Sequence, residues 1–80
     1  MGRQEERSLK EFEMSLNLYR TMFNGWSQDR LRSYLKFVEG KIAEFRRHYD
    51  EAKTMSEKGM KKMWIMFWEA VRDEVKKRLR

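Results

Sequence analysis

His48 is the residue whose neighbours in the chain come nearest to a chemical site. Glu44 stands four positions before it and Glu51 three positions after it, spacings that set all three on one side of a helix. A carboxylate–imidazole–carboxylate cluster of that kind can hold a cation, or keep an imidazole ready to move a proton. The composition argues against both uses. The chain has one histidine and no cysteine, whereas zinc sites are built largely from several imidazole and thiolate ligands. The expectation is that His48 is an ordinary residue at the edge of a charged helix, and that the protein takes no metal and no cofactor.

Other catalytic arrangements are equally thin. The hydroxyls of Ser8, Ser15, Ser27, Ser33, Ser56, Thr21 and Thr54 have no base placed beside them by spacing, and several read as helix caps. The acidic residues are too evenly spread to nominate a general acid/base pair. The glycines, Gly2, Gly25, Gly40 and Gly59, are isolated, so no glycine-rich loop is present to cradle a phosphate. No catalytic residue is nominated, and the chain is not expected to be an enzyme or to act on a small-molecule substrate.

Cations supply the second kind of chemistry. The formal net charge is +6, and the excess is uneven: residues 54–80 carry eight basic and four acidic side chains, whereas residues 1–26 balance at four and four. Lys58, Lys61, Lys62, Lys76, Lys77 and Arg80, joined by Arg46 and Arg47 on the preceding segment, form a candidate phosphate-contacting set. Such residues displace counterions from nucleic acid irrespective of base sequence. Much of this charge also has a plain structural reading. Glu6 with Lys10, Glu57 with Lys61, Asp73 with Lys77 and Glu74 with Arg78 are four residues apart in the favourable order, and the basic C-terminal end complements a helix dipole. Nucleic-acid binding is therefore the alternative function, held behind protein–protein association.

The elements that must position these residues are helices. Proline is absent and apolar residues recur every three or four positions, which predicts an all-α fold, a small three-helix bundle in one domain over residues 1–80, with helices over about 5–23, 27–52 and 55–79. In the first, Leu9, Phe12, Leu16, Tyr19 and Phe23 share a face. Ser8 with Glu11 has the pattern of a capping box, while the helix-compatible Gln4 to Arg7 allow an earlier start, and Asn24-Gly25 marks its end. In the second, Ser27 is the N-cap, with Trp26 and Leu31 placed for a hydrophobic staple. Leu31, Leu35, Val38, Ile42, Phe45, Tyr49 and Ala52 follow as an unbroken coiled-coil-like seam. Gly40 falls on its outer side, where close approach by another backbone would explain it. In the third, Thr54 and Glu57 form a capping box, and Met60, Met63, Trp64, Phe67, Trp68, Val71, Val75 and Leu79 make a broad apolar face. The boundary near residues 53–56 is weak. The rival to two separate helices is one merged helix of about fifty residues, which would need a dimer to close its core.

Eighty residues make a small domain, one that buries only about 60% of its unfolded surface. Without cysteine or a metal set, association is the route left for further stabilisation. No segment has the ~20 apolar residues of a membrane span, and the charged N-terminus is neither a signal peptide nor a good myristoylation site. An intracellular, cytoplasmic protein is expected. A basic amphipathic helix bearing Trp64, Phe67 and Trp68 also has the make-up of a membrane-surface helix, but tryptophans on a core stripe read as core. Length and helix count suit an engineered bundle, while seven methionines and Gly40 depart from idealised design rules.

Six apolar residues fall off the core faces. Met14, Leu18 and Met22 lie opposite the main stripe of the first helix, Phe37 lies off the seam of the second, and Ile65 and Met66 lie off the face of the third. An aligned apolar stripe on an outer face marks an interface more often than chance scatter does, and methionine adapts well to binding surfaces. The expected function is non-enzymatic: association with itself as a homodimer, or with an amphipathic helix of another protein.

Overall fold

A computed structural model of the chain describes the backbone of residues 2–80 and the side chains of residues 10–80. Three helices form: α1 over Gly2–Phe23, α2 over Gln28–Glu51 and α3 over Met55–Arg78. α1 begins well before Ser8, which is therefore inside the helix and not its cap. The side chains of Ser8 and Leu9, and the Glu6–Lys10 pairing, lie outside the described residues.

Local chemistry sets the breaks. Gly25 holds φ at +83°, a backbone region that costs glycine nothing, and the Trp26 N–H donates to the Phe23 carbonyl at 3.2 Å. The Ser27 hydroxyl oxygen accepts from the Arg30 N–H at 3.2 Å and starts α2. Between α2 and α3 the chain leaves helical geometry at Ala52 (φ −65°, ψ 137°). Thr54 Oγ1 then accepts from the Glu57 N–H at 3.1 Å, while the Glu57 carboxylate accepts from the Lys53 N–H at 3.3 Å. These bonds satisfy donors that a helix start leaves open, so α2 and α3 are separate helices and the merged form is not what the chain adopts. Glu57 is used at this cap instead of the expected pairing with Lys61.

α2 and α3 fold into an antiparallel hairpin, the most extensive helix pairing in the molecule. α1 runs parallel to α3 and rests on it, while α1 and α2 meet mainly beside their connecting turn. There Trp26 packs against Phe23 at 5.1 Å and Tyr34 at 5.4 Å. The outcome is a slab of 40 × 29 × 13 Å. Its core combines Leu16 and Phe23 of α1, Leu31, Val38 and Ile42 of α2, and Phe67, Trp68, Val71 and Val75 of α3. Every seam residue predicted for α2 is buried or half-buried. Full burial of a side chain of this kind is worth about 1.5–3 kcal/mol.

The third apolar face divides. Phe67, Trp68, Val71 and Val75 are core, but Met60, Met63 and Trp64, expected beside them, are 60%, 45% and 46% exposed. Phe12 meets Phe67 at 5.4 Å and Arg20 meets Glu74 at 3.0 Å, so described α1 side chains cover α3 from Phe67 onward and leave its first turns open. Trp64 is held from one side, stacked on the Phe45 ring at 5.9 Å and 13° and edge-on to Phe67 at 6.1 Å. Gly40 has no heavy atom within 4 Å of the place a Cβ would occupy, so no backbone approach explains it.

Candidate association surface

α1 turns Leu16 and Phe23 inward. At ~100° per residue this sends Met14, Leu18 and Met22 to the outside, and Met14 and Leu18 are 66% and 71% exposed. The polar neighbours on this face are already engaged with their own helix. Thr21 Oγ1 donates to the Asn17 carbonyl at 3.0 Å, and Asn17 Oδ1 accepts from Arg20 Nη1 at 2.8 Å. A face whose polar groups keep partners loses less when water is removed from it.

The fold carries this stripe onto α2. Met22 and Phe37, both exposed, line one open depression with Tyr19, Trp26, Arg30 and Tyr34. Phe37 packs its ring against Tyr34 at 5.5 Å and Trp68 at 6.1 Å, with the Lys41 ammonium 5.7 Å from its centre. The Arg30 guanidinium sits 4.0 Å over Trp26. Burial, and secondarily the hydrogen bond and charge of Tyr19, push the Tyr34 phenol well above its ordinary pKa.

Four of the six predicted surface residues, Met14, Leu18, Met22 and Phe37, therefore share one surface. Ile65 is half-buried, which corrects its assignment to an exposed interface. Met66 is exposed but sits on the side of α3 away from Val71 and Val75, remote in angle from the others. A second apolar region was missed by spacing alone. Met60, Met63 and Trp64 line a cleft of about 290 Å³ with Phe12, Ser15 and Phe67. The signal for it lay in the breadth of the α3 face, wider than one neighbouring helix covers.

The cations scatter. Arg46 pairs with Glu69 at 3.8 Å and Lys77 with Glu74 at 3.5 Å. Lys58 lies over the Tyr49 ring at 5.1 Å and Lys61 over Phe45 at 5.8 Å. Arg80 is anchored through its backbone to Gln28. Arg47, Lys62 and Lys76 are exposed without an ion pair among the described residues. Asp73 pairs with Arg72 at 3.3 Å where a partner in Lys77 was expected.

Glu74 is the most constrained charge, only 7% exposed. Its carboxylate meets Arg78 at 2.9 Å, Arg20 at 3.0 Å and Lys77 at 3.5 Å. The Arg78 hydrogen bond, joined by the hydrogen bond and charge of Arg20 and the charge of Lys77, overcomes burial and holds its pKa below the ordinary value. This cluster ties α1 to α3.

His48 packs edge-on to Phe45 at 5.9 Å and borders a shallow depression with Glu51 and Glu57. Among the described residues no group of three or more histidine, cysteine, aspartate or glutamate side chains is placed to hold a metal ion, and no helix is long and apolar enough to cross a membrane. Comparison with protein families, with curated proteins and with solved structures gives no match.

Proposed function

We propose that the protein works by association, first of all with a second copy of itself, and not by catalysis. The observation that carries this reading is the exposure of Met14, Leu18 and Met22 along one face of α1, with Met22 lining a common depression with the exposed Phe37. Its polar neighbours Asn17 and Thr21 are bonded within α1. Apolar side chains gathered this way are stabilised when another surface removes them from water.

Light scattering across a concentration series tests it. The expected result is a mass that rises from one chain towards two. Replacing Met14, Leu18 and Met22 together by glutamine should return the mass to one chain while leaving the helical circular dichroism unchanged. A one-chain mass at every concentration overturns the proposal, as does unfolding of the triple variant, which would place those residues in the core.

Phosphate binding rests on Arg47, Lys62, Lys76 and Arg80, the exposed members of the candidate set whose heads have no ion pair among the described residues. Binding to duplex DNA that weakens steeply between 50 and 200 mM salt, at concentrations where the chain is monomeric, would favour this reading over association.

A further inference from the structure

The α1 stripe has a symmetry that the other exposed apolar groups lack. Met14, Leu18 and Met22 are spaced by four residues, with methionine at each end, so the pattern reads alike in both directions. Two-chain assemblies mostly use isologous contacts, in which a patch meets itself across a two-fold axis. A stripe unchanged by reversal about Leu18 satisfies that condition without any further complementarity.

Charge selects the direction of pairing. Copies bearing +6 each repel at a distance. Yet Met14, Asn17, Leu18, Thr21 and Met22, the exposed residues of the stripe and its flank, carry no charge in a chain that is 40% charged, and Arg20, the one exposed cation between 14 and 22, is drawn off to Glu74 at 3.0 Å and Asn17 at 2.8 Å. Lys10, Glu11 and Glu13 follow towards the N-terminus. Parallel pairing would bring each of these beside its own copy, like charge on like charge. Antiparallel pairing centred on Leu18 sets Glu11 beside the partner's Gly25 and Lys10 beside the partner's Trp26, and removes the repulsion.

We infer that two copies join through antiparallel pairing of α1, with the two-fold axis beside Leu18. Leu18 packs on the partner's Leu18, and Met14 on the partner's Met22. This inference rests on the self-association reading above and adds its geometry. A row of residues spaced by four is a helix ridge, and seating it in the partner's groove at the shallow inclination of about 20° keeps the two helices side by side along their length. The short side chains of Asn17 and Thr21 beside the ridge let the helices approach. Met22 continues the contact to Phe37, with which it lines a common depression. One helix per chain over so few turns covers less than the ~800 Å² per partner of a standard interface, so the dimer dissociates on dilution.

The absence of native cysteine makes disulfide trapping a direct test in the full chain. Leu18→Cys alone should oxidise to a covalent dimer. A mixture of the Met14→Cys and Met22→Cys variants should give a mixed dimer several-fold in excess of either variant linked to itself. Self-linked Met14→Cys and Met22→Cys products that match or exceed the mixed one would show parallel pairing and overturn the inference. So would failure to cross-link at all three positions while light scattering still reports a two-chain mass, an outcome that leaves association itself intact and moves it to another surface. A one-chain mass throughout sinks both.

Discussion

Gln28 and Arg80 stand 52 residues apart in the chain, yet the Arg80 backbone N–H donates to Gln28 Oε1 at 2.9 Å. The same amide turns its Nε2 to the Arg78 carbonyl, also at 2.9 Å. Gln28 is the first residue of α2 and Arg78 the last of α3. One side chain at the start of a helix thus satisfies a carbonyl that the end of another leaves open. Gln28→Ala removes both bonds. At about 0.5–1.5 kcal/mol for each neutral hydrogen bond, the loss should be about 1–3 kcal/mol in urea unfolding, and amide exchange near residues 78–80 should accelerate. Unchanged exchange there would show that the clamp is not what orders this end.

Glu74 gives the fold a dependence on acid. Its folded pKa is held below the unfolded value by Arg78, Arg20 and Lys77. The stabilisation is therefore complete above the unfolded carboxylate pKa of about 4.3 and is lost as pH falls through the depressed folded value. Glu74→Gln should cost about 1–3 kcal/mol at pH 7, the range for a hydrogen bond to a charged group or for a buried group left unpaired. The gap between wild type and variant should shrink as the pH is lowered from about 5 towards 2. A gap that stays constant over that interval would mean the carboxylate charge is not the source of the stabilisation.

Gly40 and Gly25 should respond oppositely to the same substitution. Gly40 is mid-helix with open space where a Cβ would lie, so Gly40→Ala should stabilise by about 0.5–1 kcal/mol. Gly25 holds a positive φ of 83°, and Gly25→Ala should destabilise by about 1–2 kcal/mol. Paired thermal melts decide the matter. Equal shifts of one sign would contradict the assignment of Gly25 as the residue that ends α1.

The divided face of α3 makes a further contrast. Phe67→Ala should cost about 3–5 kcal/mol, because Phe67 is 7% exposed and packs edge-on against Phe12. Met63→Ala should stay within about 0.5–1 kcal/mol, as expected for a surface site. Comparable losses for the two would show that Met63 is covered after all.

The helices themselves are legible because their signals are local. The α2 seam from Leu31 to Ala52 follows the helical period, and Ser27 and Thr54 cap through bonds to residues three positions on, so spacing along the chain is enough to find them. The start of α1 was less clear, since Gly2–Arg7 contain neither a strong cap nor a breaker. Angular position also exposes Met14 and Leu18 directly, because an outer helix face opposite a core stripe has nothing else to meet.

What the sequence by itself determined is the existence and order of the helices and the inner face of α2, because a 3.6-residue period and capping hydrogen bonds depend only on neighbours. Tertiary structure alone decided which apolar groups are covered. Met60, Met63 and Trp64 carry the same periodic signal as Phe67, Trp68, Val71 and Val75, and they differ in how far the described side chains of α1 cover them. It also decided that Glu74 gathers Arg20 with Arg78, that Gln28 finds Arg80, and that Met22 joins Phe37 on one surface. The physical reason is that burial and long-range pairing depend on how helices lean against one another, a relation between segments far apart in the chain that the period of any one helix does not contain.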